Sequence, residues 1–375
     1  MLGGRDAARR AWTALRCGQN PSVSAEADCA TFPDHQVAKC VRAKCLTNKM
    51  LLRLHDGLEV ETVLIPVRGG GNPDSDPITS TLCLSSQVGC AQACRFCATG
   101  AMGRRRGLST GEILAQVFEG NALARAEGLP PVRNIVFMGQ GEPLDNSDAV
   151  EAALDALTDR ARFALAPRRI TVSTVGPSPA AIRRMAAWPA RLAWSVHAAD
   201  DELRKQLVPS ARFPVAELRD AFLDVLSARR ERALANPERR DAASHQGKTS
   251  RTLLIEVTLI DGVNDGPEHA EQMIKLLRPL VSESRHSKVN LIPYNWNPAE
   301  RLRGDFAKSF RPSPPERVET YRNMIMQAGL MCFTRAERGA AESAACGMLA
   351  TATRRAARAT GSVADSPDAW QSHQQ

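Results

Sequence analysis

The sequence predicts an α/β fold in which helical crossovers build a parallel sheet, either as a βα barrel or as an open sheet. Three observations predict it. From Thr81 onward, apolar runs of strand length alternate with amphipathic stretches of helix length. Polar and glycine residues follow those runs, at Cys90, Glu142, Ser173, His197, Asn264 and Asn295, where such folds carry their chemistry. The 375 residues are 43% hydrophobic and 24% charged, enough for one large domain or two ordinary ones around a packed core.

In chain order, residues 1–45 show little periodicity and are expected as a loosely ordered arm. Met50 to Pro66 holds two runs, Leu51, Leu52, Leu54 and Val60, Thr62, Leu64, around His55-Asp56-Gly57, which reads as a β-hairpin. A linker follows at Gly69-Gly70-Gly71-Asn72-Pro73-Asp74. Thr81–Leu84 is a short strand leading into a cysteine loop. Thr110–Ala126 is a helix capped by Ser109 or Thr110, with Ile113, Val117 and Leu123 on its apolar side. Strands are then expected over Asn134–Met138, Arg169–Thr174, Leu192–Val196, Leu253–Leu259 and Val289–Pro293, with a last apolar run at Leu330–Phe333. Between them lie helices over Ala149–Leu157, Ala180–Ala187, Val215–Arg229, Pro267–Leu277 and Pro314–Ala328. Residues 230–252 are charged and read as a solvated insertion; the end from Gly361 reads as disordered.

The net charge of +8 favours a polyanionic partner. No apolar run approaches the roughly 20 residues of a membrane-spanning helix, and the first stretch lacks the apolar core of a secretory signal. The first twenty residues, with Arg5, Arg9, Arg10 and Arg16 against Asp6, read equally as an organellar transit peptide or a basic tail. A cytoplasmic protein, or one imported into a plastid or mitochondrion, is expected. Of the 10 cysteines, four lie between Cys83 and Cys97, four at or before Cys45 and two near the end. That clustering points to metal or catalytic use rather than a disulfide scaffold.

Cys90, Cys94 and Cys97 form Cys-x3-Cys-x2-Cys with Phe96 before the last cysteine. Three thiolates in eight residues reach three irons of one cubane and leave the fourth open for substrate. Zinc motifs, by contrast, come as two pairs with a fourth ligand.

Several further segments stand in one order: Val60-Glu61-Thr62-Val63-Leu64-Ile65-Pro66, Thr81 to Cys90, Phe137-Met138-Gly139-Gln140-Gly141-Glu142-Pro143-Leu144, Val172-Ser173-Thr174-Val175-Gly176, Ser195-Val196-His197-Ala198, Gly262 to His269, Asn290 to Asn295, and Ala344-Ala345-Cys346-Gly347. In these, from about Met50 to Leu349, the chain resembles the radical S-adenosylmethionine (SAM) methyltransferases that act on adenine C2 of 23S rRNA and tRNA. The adenine-C8 resistance methyltransferases are close cousins.

The resemblance implies a partial βα barrel of the radical SAM type, with an N-terminal hairpin extension and a C-terminal catalytic loop. It divides the chain into an accessory region (1–75), a core (76–340) and a loop with its tail (341–375). It implies one [4Fe–4S] cluster on Cys90, Cys94 and Cys97, and SAM held by Gly141, Glu142, Ser173, Ser195, Val196, His197 and Asn295. Adenine C2 is an amidine carbon without a nucleophilic lone pair, so a carbon radical rather than polar methyl transfer is the expected route. By resemblance, one SAM methylates Cys346 and a second yields a 5′-deoxyadenosyl radical that takes hydrogen from the S-methyl group. The carbon radical adds to adenine. Glu61 takes the C2 proton, and Cys83 releases the product by forming a disulfide with Cys346. RNA, an electron donor such as flavodoxin or ferredoxin, and a monomeric state with no membrane attachment complete the expectation.

Arg104-Arg105-Arg106, Arg168-Arg169, Arg183-Arg184 and Arg229 to Arg232 are candidates to neutralise RNA phosphates. The alternatives are adenine-C8 methylation, and a non-catalytic RNA-binding protein with a structural cluster. The chain departs from the family pattern in its short N-terminal region, in Gly339-Ala340-Ala341-Glu342 and Met348 around Cys346, and in Asp200.

Overall fold

The computed structural model describes residues 3–19, 33–43, 45–69, 75–235, 252–284, 287–295, 310–335 and 348–349. Ten strands form one sheet in the order β1 (His35–Arg42), β2 (Asn48–Leu54), β3 (Glu59–Arg68), β4 (Pro77–Leu84), β7 (Val132–Phe137), β8 (Ile170–Thr174), β9 (Arg191–Ser195), β10 (Leu253–Leu259), β11 (Lys288–Pro293) and β12 (Met331–Thr334). A two-stranded ribbon, β5 (Gln87–Val88) and β6 (Arg106–Gly107), flanks the cysteine loop. Strands β1 to β4 pair antiparallel, and from β4 to β12 every neighbouring pair is parallel. The parallel strands follow sequence order. Crossovers of one hand therefore put their helices on one side of the sheet and leave the other side concave, as in a barrel segment.

Helix α2 (Thr110–Ala126) links β4 to β7, α3 (Ser147–Thr158) links β7 to β8, and α4 (Pro179–Arg184) links β8 to β9. Helices α5 (Asp201–Leu207) and α6 (Val215–Leu234) precede β10. Helix α7 (Pro267–Glu283) links β10 to β11, and α8 (Pro315–Gln327) links β11 to β12. Between sheet and helices lies the main apolar core. Strand β10 shows the division of labour: Leu253, Ile255, Val257 and Leu259 are fully buried toward the helices, while Glu256 and Thr258 alternate onto the concave face. Register carries this across the sheet, aligning Ser195, Glu256 and Asn290 in one row and Val63, Cys83 and Val136 in another.

Helix α2 starts in a capping box, since the Glu112 amide donates to Ser109 Oγ (3.2 Å) and the Ser109 amide to Glu112 Oε2 (2.8 Å). Inside it, buried Gln116 accepts from the Ser85 amide (2.9 Å) and the Thr62 hydroxyl (2.6 Å) and donates to the Ser85 carbonyl (2.9 Å). A mid-helix glutamine thus fixes the chain just ahead of the cysteine loop. Asp200 caps α5 by accepting from the Leu203 amide (2.8 Å), a role that suits a short acceptor side chain.

The expected arm at 1–45 is partly regular. Gly3–Arg16 is helix α1, with Ala11 and Leu15 buried and Trp12 edge-on to Phe163 at 5.5 Å. The third and fourth strands are longer than the sequence patterns set them, and α6 continues through Leu234 into the charged stretch. Residues 236–251 of the expected insertion, and those from Gly361 on, lie outside the described residues.

Candidate active site

The concave face and the strand ends line a cleft that is partly open to solvent. Its walls include Cys90, Cys94 and Cys97, together with Gly141, Glu142, Ser173, Ser195, His197 and Asn295. Residues spread over some 200 positions of chain are brought to one place because each strand ends there.

The cysteine loop is tightly folded. Gly89 has φ of +74° and Ala93 +54°, which turn the chain back on itself. The Cys97 amide donates to the Cys94 carbonyl (3.2 Å), and the Arg95 amide to the Leu207 carbonyl (2.9 Å). Gln92 donates to Asp145 Oδ2 (2.6 Å) and accepts from the Ser210 hydroxyl, tying the loop to two neighbouring segments. Burial pushes the Cys90 thiol well above its ordinary range, and nearby Cys94, Cys97 and Glu142 push the same way. Thiolates here need positive charge beside them, which bound metal brings. Among the described residues, no group of three or more His, Cys, Asp or Glu side chains is arranged to hold a single metal ion. Three thiols on one wall are a donor set that fits an iron–sulfur cluster.

Beside the thiols, Glu142 is buried and accepts from the Leu144 and Val175 amides (both 3.0 Å). Burial nevertheless raises its carboxyl to about 7, so a cationic group entering the cleft finds a receptive partner. Gly141 precedes it at φ +102°; a Cβ there would sit 2.7 Å from Gln87 Cβ. His197 adopts φ +62° and packs against Phe96 with the ring planes tilted by 57° and the centroids 4.5 Å apart. Its Nδ1 accepts from the Thr258 amide (3.2 Å), which leaves Nε2 as the N–H of the neutral ring. Burial, with Arg204 nearby, lowers its pKa to about 3, so the ring is a neutral donor. Ser173 and Ser195 lie 3.0 Å apart, and Ser173 donates to Glu256 (3.1 Å). The Tyr294 hydroxyl is buried in the wall and has no hydrogen-bond partner among the described residues. A thiol corner, a buried carboxylate, a neutral imidazole donor and an unsatisfied hydroxyl fit a cluster with a polar nucleoside cofactor.

The other sequence-derived candidates lie around this cleft. Val196 is not in its wall: the strand alternation turns its side chain into the core, and its amide donates to the Glu256 carbonyl (3.1 Å). Glu61 and Cys83 stand on the concave face without lining the cleft. Glu61 pairs with Lys49 at 2.9 Å. Cys83 packs with Val63 and Leu349. Cys346 lies outside the described residues, but Leu349, three positions on, lines the cleft and accepts from the Thr99 hydroxyl (2.7 Å). Sequence reasoning missed Glu256, Thr258 and Tyr294. For Glu256 a signal existed, a single acid within an otherwise uncharged strand, Leu253–Leu259.

The basic candidates sort by their partners. Arg106 is held by Asp56 and Glu112, Arg183 by Asp224, and Arg184 by Asp148 and Glu151. Arg229 is no phosphate ligand: it is buried and donates to the carbonyls of Ala190 (2.8 Å), Met185 (2.7 Å) and Trp188 (2.8 Å). Arg104 and Arg105 are exposed and, among the described residues, have no acidic partner. They adjoin the cysteine loop, where the Arg105 amide donates to the Val88 carbonyl (2.9 Å).

Residues 84–228 match the model of the radical SAM superfamily. The chain is 36% identical over 304 residues to the dual-specificity RNA methyltransferase RlmN of Ruthia magnifica subsp. Calyptogena magnifica, covering 80% of this chain and 74% of that protein. It is 39% identical over 331 residues to the RlmN of Sorangium cellulosum, covering 81% and 76%. Among solved structures, a radical SAM methyltransferase from Sphaerobacter thermophilus superposes with a TM-score of 0.67 at 34% identity, covering 84% of this chain and 81% of that one.

Proposed function

The chain belongs to the RlmN family of dual-specificity RNA methyltransferases, and on that premise we propose that it methylates C2 of an adenine in 23S rRNA, tRNA or both. The observation that carries this is the single cleft shared by three thiols, Glu142, Ser173, Ser195, His197 and Asn295. Cys90, Cys94 and Cys97 would hold the [4Fe–4S] cluster, and Gly141, Glu142, Ser173, Ser195, His197 and Asn295 would hold SAM, with Glu142 available to a cationic group and His197 Nε2–H to an acceptor. Cluster and SAM together supply the radical chemistry that an amidine carbon demands.

The chain's own residues do the rest. Cys346 carries the methyl group to the base. Glu61, ion-paired with Lys49 on the concave face, accepts the C2 proton. The Cys83 thiolate then attacks the Cys346 sulfur; an S–S bond forms as the sulfur–methylene bond breaks, and the methylene carbon, left with the bonding pair, takes up a proton and stays on the adenine as the methyl group. Leu349, three positions after Cys346 in the chain, supports this pairing, since it packs against Cys83.

RNA approaches past Arg104 and Arg105, the target base leaving its stack to enter the cleft. An electron donor of the flavodoxin or ferredoxin type reduces the cluster, and the chain acts as a monomer in the cytoplasm. Among the described residues no helix is long and apolar enough to cross a membrane. The accessory region is residues 1–75, the core 76–340 and the catalytic loop with its tail 341–375. The test is mass spectrometry of nucleosides from rRNA and tRNA, after expression in cells lacking their own enzyme of this type. 2-Methyladenosine is the expected product. 8-Methyladenosine would move the activity to the cousin family, and neither product with an intact cluster would overturn it.

A further inference from the structure

Glu256 is the buried carboxylate of the cleft that the reaction above leaves without a role. It is 3% exposed, it lines the cleft, and its two oxygens face different partners. Oε1 meets Asn290 Nδ2 (3.3 Å) and the Arg335 guanidinium (3.8 Å). Oε2 meets the Ser173 hydroxyl (3.1 Å) and, farther, that of Ser195 (3.5 Å). Strand register sets this, since Ser195, Glu256 and Asn290 are cross-strand neighbours.

A carboxylate accepts only, and each serine has one proton. Ser173 gives its proton to Glu256. In the 3.0 Å contact between the two serines, Ser195 must therefore be the donor; in its own approach to Glu256 it is again the donor. Either way both protons point into the protein, and only oxygen lone pairs remain for the cleft. We propose that Glu256 is a positioning residue that fixes the polarity of Ser173 and Ser195, so that the pair accepts a hydrogen bond from the bound cofactor and cannot donate one. The group opposite them is then an O–H or N–H: a ribose hydroxyl or the amino group of the cofactor. This rests on the reading that the cleft binds SAM.

Glu256→Gln tests it without changing shape. Asn290 and Arg335 are donors, so they hold the amide oxygen on their side and turn the NH₂ toward Ser173. The relay then runs backwards, Ser195 points its proton into the cleft, and the cofactor's donor meets a donor. The probe is S-adenosylhomocysteine, titrated calorimetrically into anaerobically reconstituted protein. Affinity is expected to fall about 10- to 100-fold in E256Q, the loss of one hydrogen bond to a charge-polarised acceptor. Analogues lacking the 2′-hydroxyl, the 3′-hydroxyl or the amino group identify the donor. The one that reaches the serines loses a similar factor on the unaltered protein and nothing further on E256Q.

Iron content and thermal unfolding of E256Q report whether the variant folds and loads. If it does not, the variant carrying Ser173→Ala and Ser195→Ala takes its place, with the same flattening of one analogue's penalty expected. An S-adenosylhomocysteine affinity within twofold of the unaltered protein, or penalties for all analogues that E256Q leaves unchanged, overturns the inference while leaving the cofactor reading intact. No binding by the unaltered protein would overturn the cofactor reading, and this one with it.

Discussion

Substituting Gly141 by alanine separates two costs that usually arrive together. The backbone there has φ of +102°, and an added Cβ would lie 2.7 Å from Gln87 Cβ and Cγ and 2.8 Å from its backbone nitrogen. Positive φ costs a non-glycine residue about 1–2 kcal/mol. The crowding adds about 1–3 kcal/mol, because Gln87 is fully buried and cannot withdraw; its Oε1 already accepts from the Glu142 amide (3.0 Å). Gly141→Ala is therefore expected to destabilise the fold by about 2–5 kcal/mol. Gly262→Ala is the matched control, with φ of +65° and no atom within 4 Å of the new Cβ, and should cost only the backbone term of about 1–2 kcal/mol. Urea unfolding followed by far-ultraviolet circular dichroism reads both. Because the displaced Gln87 would drag the Glu142 amide with it, Gly141→Ala should also lose S-adenosylhomocysteine binding, while Gly262→Ala keeps it. Equal destabilisation by the two substitutions would refute the steric reasoning.

Cys97→Ala should abolish the charge-transfer absorbance of the reconstituted cluster, and an undiminished spectrum would remove Cys97 from the ligand set. Cys83→Ala should leave RNA covalently attached to the protein, seen as a shifted band on a denaturing gel that nuclease collapses; only free RNA would argue against the disulfide-forming release. Arg104→Ala and Arg105→Ala should weaken RNA binding and each flatten the dependence of log affinity on log salt by about 1, with the cluster spectrum unchanged. His197 stays neutral in the folded chain down to about pH 3, whereas the unfolded chain protonates it near 6.5. Stability is accordingly lost as pH falls through that window, by up to roughly 5 kcal/mol. His197→Gln should flatten this part of the pH profile of the urea midpoint, and an unaltered profile would place the titration elsewhere.

Much of the architecture was legible because period and punctuation agreed. A cap at Ser109 or Thr110 and the spacing of Ile113, Val117 and Leu123 announced α2, and polar residues at strand ends announced the cleft. Helix α1 was hidden although Ala8, Ala11, Trp12 and Leu15 have helical spacing, because arginines and small residues dilute so short a pattern. Strand β1 gave no alternation to read, being exposed over most of its length on both faces at the sheet edge. Arg229 looked like part of a charge run. Nothing local tells that its guanidinium turns inward to three carbonyls left open around residues 185–190. Val196 and Ser195 are sequence neighbours with opposite fates, because a strand points them to opposite faces. The Cys90, Cys94 and Cys97 spacing needed no tertiary information, whereas Glu256 acquires meaning only through the serines that register sets beside it.

The alternation along β10, fat outward and polar inward, gives the protein two separable alphabets written on the same letters. Odd-numbered positions of that strand answer to the packing of helices, and Glu256 and Thr258 to whatever occupies the cleft. A saturation library across Leu253–Leu259 scored once for soluble yield and once for methylation should return two sensitivity profiles of period two, out of phase with each other. Changes in chemistry could then accumulate on one face of the strand without consulting the other, so that selection for a new substrate need not begin by weakening the scaffold.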